Sequence, residues 1–124
     1  MKELGDRILE AAAEEKEAMI SFLMDLASME SPSDVPESQR PVQGRLTDAL
    51  EELGFEVVRT PGEKTGGHLL AKPKDRDPDC HEQLLLGHCD TVWKLGTLDT
   101  MPLVREGDRL KGPGVFDMKG GLTQ

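Results

Sequence analysis

The stretch Gly-His-Cys-Asp-Thr-Val at positions 87–92 places an imidazole, a thiol and a carboxylate side by side, directly after the apolar run 84–86. On extended backbone alternate side chains share a face, so His88 and Asp90 project to one side and Cys89 to the other. Neutral imidazole is a good zinc ligand, and a carboxylate that accepts its second ring N–H fixes the tautomer and the ring orientation. A second carboxylate of interest, Asp117, lies in "GPGVFDMKGG". Glycines there allow close backbone approach and unusual dihedral angles, which suits a carboxylate set tightly against a metal. Taken singly these patterns are common: a histidine at a strand end is usually structural, and an aspartate among glycines usually forms a turn.

A structural zinc site built from Cys80, His81, His88 and Cys89 needs a turn between its two pairs, whereas the intervening "EQLLL" reads as a strand. Along such a strand the two cysteines stand roughly 30 Å apart, beyond bridging distance, and reduced thiols are expected. His68 opens a predicted strand and His81 lies in a polar connection, so both read as surface or structural residues.

These groups need elements to hold them. Met19, Phe22, Leu23 and Leu26 recur at helical spacing, with Ile8, Leu9 and Ala12 extending the stripe toward the amino end of one amphipathic helix. "ESPSDVPES" ends it with turn chemistry. Val42, Leu46, Ala49, Leu50 and Leu53 mark the face of a second helix, capped at its carboxyl end by Gly54. "FEVVR" and "HLLAK" read as strands flanking the loop "TPGEKTGG". "KPKDRDPD" is a polar connection, "QLLLGH" a strand covered on both faces, and "LVREGDRLKG" a hairpin about Gly107 and Asp108. This order predicts an α/β fold with a layered sheet and flanking helices.

The 124 residues suit one domain, and with three Phe, one Trp and no Tyr its core is aliphatic. A formal charge of −9, from 24 acidic and 15 basic residues, argues against nucleic acid as a partner. The charged amino terminus offers neither a signal-peptide core nor the roughly 18 apolar residues of a membrane span, so a cytoplasmic protein without membrane contact is expected.

Together and in order, "LLLGHCDTVWKLGTL" and "GDRLKGPGVFDMKGG" resemble the amino-terminal part of the zinc-dependent carboxypeptidase and deacylase family, which includes glutamate carboxypeptidases, acetylornithine deacetylase and succinyl-diaminopimelate desuccinylase. The wording "GTL" and "GPGVFDMKGG" is most similar to the glutamate carboxypeptidase branch. The resemblance is strong over residues 84–121 and looser over the "SPS" segment, the helix after it and "LGFEV". It implies that residues 1–124 are the incomplete N-terminal portion of a dizinc exopeptidase catalytic domain. His88 matches the family's first zinc ligand, Asp90 the catalytic carboxylate that orients it, and Asp117 the aspartate that bridges two zinc ions and precedes a strained, cis peptide bond to Met118.

The reaction so implied is metallopeptidase-type hydrolysis of an amide in a small peptide or N-acyl amino acid with a free carboxylate. Two zinc ions, replaceable by cobalt or manganese, activate a shared water while a glutamate takes its proton. The sequence departs from the family in lacking the glutamate pair, a further acidic ligand, a late histidine and the smaller domain through which the full-length protein would form a homodimer. All of these are expected beyond residue 124. A catalytic zinc takes about three protein ligands and two are present, so the chain alone is expected to bind zinc poorly and to be inactive. The alternative is a catalytically dead short scaffold that serves as a binding or interaction module.

Overall fold

The computed structural model describes residues 3–124. Two helices open the chain, α1 (Leu4–Glu14) and α2 (Lys16–Ser28), where the apolar spacing predicts one. The break falls at Glu15, whose ψ of −1° departs from the helical ladder. The stripe is not buried along α1: Ile8 and Leu9 remain 59% and 70% exposed. The apolar face of α2 is used: Leu26 and Ala27 are buried, as is Val42 of the next helix, α3 (Arg40–Glu52), and Arg45 of α3 reaches back to donate to Asp25 at 2.6 Å and to lie over the Phe22 ring.

A 3-10 turn, Pro36–Gln39, leads into α3, which carries Pro41 in its first turn, where a missing N–H costs nothing. Its carboxyl end is capped as the sequence predicts, by Gly54 at φ +86°, with its N–H donated to the carbonyl of Glu51. Leu53 departs from expectation: it falls just past the last helical turn and points to solvent. Strands β1 (Phe55–Thr60) and β2 (His68–Pro73) pair antiparallel as a hairpin in the register Val57 to Ala71. Its half-buried residues face α3, and Val58 and Leu70 lie on the outer face. Gln43, buried in α3, holds the hairpin loop by donating to the carbonyl of Gly66 at 3.0 Å and accepting from Arg59 Nε at 2.8 Å.

The remaining elements are short: α4 (Thr97–Thr100), then β3 (Val104–Glu106) and β4 (Arg109–Lys111), which form the expected hairpin about Gly107 and Asp108. A wide turn, Val115–Lys119, follows and leads into α5 (Gly120–Thr123). The Arg105 guanidinium ties the second hairpin to α2 through both oxygens of Glu17, each at 2.8 Å. Much of the interior is polar, with Ser31, Gln39, Gln43, Thr91 and Lys119 buried beside the three apolar core residues. Every buried side-chain N and O among the described residues has a partner.

The layered sheet expected from the sequence is not formed among the described residues. The fold is mixed α/β, with two separate two-stranded antiparallel sheets, compatible with a fragment of a peptidase domain. Residues 83–88 form no strand, and Leu84, Leu85 and Leu86 are 79%, 86% and 88% exposed. A wholly apolar strand needs ladder partners at its edges and cover on both faces, and the described residues supply neither. No described helix is long and apolar enough to cross a membrane.

Candidate functional site

Where the 83–88 segment ends, pairing begins. Pro32 and Thr91 form a parallel bridge: Thr91 N donates to Ser31 O, and Ser33 N donates to Thr91 O, each at 2.9 Å. The buried Ser31 hydroxyl donates to the carbonyl of Cys89 at 2.7 Å. The "SPS" segment after α2 thus clamps residues 89–91 by their backbone. The glycine-rich arm is seated against the same place. Gly114, at φ +73°, approaches so closely that a Cβ there would lie 2.7 Å from Thr91 Cγ2. Lys119 is buried and donates from Nζ to the carbonyl of Met29 at 2.6 Å, and burial pushes its ammonium down to about 8.

The two arms bring His88, Asp90 and Asp117 together. His88 Nδ1 lies 3.0 Å from the carbonyl oxygen of Asp90 and 3.2 Å from Asp90 Oδ1, and Nε2 lies 3.0 Å from Asp117 Oδ1. The Cys89 thiol takes no part in these contacts; it is free and half-buried, and burial and the Asp90 charge raise its pKa, which suits packing rather than reactivity. The peptide bond from Asp117 to Met118 is cis. Ser33, His88, Asp90, Thr91, Val92 and Asp117 line an open cleft of about 300 Å³.

Both ring nitrogens of His88 face oxygen acceptors, an arrangement that neutral imidazole satisfies at one nitrogen only. Partial burial favours the neutral form, but the Asp90 carbonyl and the Asp117 and Asp90 carboxylates outweigh it and raise the pKa of His88. With the Nδ1 proton directed to Asp90, a cation at Nε2 would resolve the same conflict, held between that nitrogen and Asp117. The donor set fits a metal in kind and falls short in number. Among the described residues no three His, Cys, Asp or Glu side chains converge as ligands, since Asp90 occupies the other ring nitrogen. Cys80, His81, His88 and Cys89 likewise form no such group. His68 and His81 are both exposed.

Three contacts at the site were outside the reach of sequence reasoning. The Ser33 hydroxyl donates to Asp90 Oδ2 at 2.6 Å across 57 positions, His88 N donates to Met118 Sδ at 3.2 Å, and Lys119 secures the second arm. Ser33, Met118 and Lys119 all lie in stretches that the sequence singles out, but nothing local to those stretches says which distant group each would meet.

No family model matches the chain. It is 34% identical over 116 residues to carboxypeptidase G2 of Pseudomonas sp. strain RS-16, an alignment covering 92% of this chain and 28% of that protein. It is 36% identical over 94 residues to a putative succinyl-diaminopimelate desuccinylase of Mycobacterium tuberculosis strain H37Rv, covering 71% of this chain and 23% of that protein. With a probable carboxypeptidase of Aspergillus clavatus it shares 30% identity over 110 residues, 85% of this chain and 24% of that protein. The chain spans about a quarter of the length of these curated relatives.

Proposed function

From the premise that this chain belongs to the carboxypeptidase and deacylase family, whose amino-terminal part it matches, we propose that it supplies part of the metal centre of a zinc-dependent amide hydrolase. The substrate class is a small peptide or N-acyl amino acid with a free carboxylate. The observation that carries this reading is His88 held between Asp90, whose backbone carbonyl at 3.0 Å and carboxylate at 3.2 Å both face Nδ1, and the Asp117 carboxylate on Nε2.

In this reading His88 Nε2 and Asp117 would hold the metal, and Asp90 keeps the Nδ1 proton in place so that the Nε2 lone pair faces the cleft. Zinc, when bound, supplies Lewis-acid polarisation of the scissile carbonyl and a lowered pKa for water. The open cleft beside Asp117 admits the substrate. The residues gathered here supply two of the roughly three protein ligands that a catalytic zinc takes, so the isolated chain is expected to turn over no substrate.

The test is zinc-dependent hydrolysis of N-acyl amino acids and dipeptides by the native protein that carries this sequence. His88→Ala and Asp117→Ala are each expected to lower kcat/KM by on the order of 10³-fold, matching the several kcal/mol that a polarising metal provides. Activity indifferent to both substitutions would overturn the site. Metal-dependent turnover by the 124-residue chain alone would overturn the division of the machinery. A native intact mass of 13.6 kDa would favour a binding module instead.

A further inference from the structure

We propose that Ser33 is a positioning residue for this centre, acting on His88 through Asp90; this rests on the metal-site reading above. A carboxylate two residues from a histidine has more than one rotamer available, and only one turns an oxygen toward Nδ1. Asp90 is about one-third exposed, too open for packing alone to select that rotamer. Its Oδ2 accepts the Ser33 hydroxyl at 2.6 Å while its Oδ1 faces His88 Nδ1 at 3.2 Å, so the two oxygens are engaged by different partners. The hydroxyl has one proton and two acceptors in reach, Asp90 Oδ2 at 2.6 Å and Thr91 O at 3.1 Å, and the shorter contact is to the charged group.

What makes Ser33 effective is that its own position is fixed by the backbone. Its N–H is bonded to Thr91 O at 2.9 Å, and the preceding Pro32 pairs with Thr91 in the parallel bridge. Little side-chain freedom remains to be lost when the hydroxyl reaches Asp90, one residue before its backbone partner. The chain of contacts runs Ser33, Asp90, His88, and ends at the nitrogen that faces Asp117. Outer partners of a metal-ligating histidine typically change metal affinity about 10–100-fold.

The experiment is a calorimetric zinc chloride titration of the metal-stripped native protein that carries this sequence, with circular dichroism as the check on folding. Ser33→Ala is expected to weaken zinc binding about tenfold, and Ser33→Thr, which keeps the hydroxyl, to restore it to within about twofold. In an Asp90→Ala background Ser33→Ala is expected to cost nothing further, because its effect passes through that carboxylate. A loss of equal size in both backgrounds, or an unchanged affinity in Ser33→Ala beside weakened binding in Asp90→Ala, overturns the role of Ser33 and leaves the metal site standing. Zinc binding that ignores His88→Ala overturns the site reading itself, and the Ser33 proposal with it.

Discussion

A methyl group on Gly114 would meet Thr91 Cγ2 at 2.7 Å, and φ is +73° there, so this residue measures how tightly the glycine-rich arm is seated. Gly114→Ala is expected to destabilise the fold by about 1–2 kcal/mol from the left-handed backbone alone, with the clash adding to it. A urea unfolding midpoint unchanged from the native chain would show that the arm is not held against Thr91. Glu30 gives the pH counterpart. Its carboxylate accepts N–H bonds from Gly96 at 2.8 Å and Leu98 at 3.0 Å, and these hold its pKa below the usual value. A depressed folded pKa gives stability that is present above the unfolded value near 4.5 and is lost as pH falls through the folded one. The gap in melting temperature between native and Glu30→Gln chains is therefore expected to close on acidification from pH 6 to pH 3. His88, Asp90 and Asp117 stand out in the sequence by residue type and by the resemblance that pairs their two motifs, and the structure brings the three together. Ser33 does not stand out, because its partner is 57 positions away and a serine between prolines reads first as a turn.

Elements whose bonds are local were legible for the same kind of reason. The stripe on α3, its Gly54 cap, the strands β1 and β2 and the second hairpin follow from side-chain period and turn chemistry within a few residues. The stretch 83–88 failed because its apolar run specifies a covered strand only if other strands stand beside it, which is not a property of the stretch itself. α1 failed likewise: a helical stripe says which face is apolar and nothing of whether a partner covers it. Gln43 shows what joins the legible elements to each other, since it donates to Gly66 O and accepts from Arg59 Nε. Gln43→Ala leaves both partners wanting and is expected to cost about 1–3 kcal/mol in chemical denaturation. Hydrogen-exchange protection across β1 and β2 should fall with it, and a neutral outcome would mean that α3 and the hairpin cohere through apolar contact alone.

On the scale of the molecule, the leucines 84–86 and Phe116, which is 97% exposed, are bare among the described residues. Uncovered apolar surface promotes association, so sedimentation is expected to show concentration-dependent self-association that Leu85→Glu reduces without changing helix content. If Leu85→Glu sediments as the native chain does, the leucines are not the adhesive surface. The parallel bridge between Pro32 and Thr91 carries a different consequence, one of order in time. The first hairpin closes a few residues of chain, but the bridge closes 58, at an entropic cost of roughly 3–4 kcal/mol. Contacts of such long reach form after local ones and open before them. The amide of Thr91 should therefore exchange with solvent sooner than those of Val58 and Leu70. The chemistry-bearing face of this chain is therefore expected to come into order after the first hairpin and to open before it.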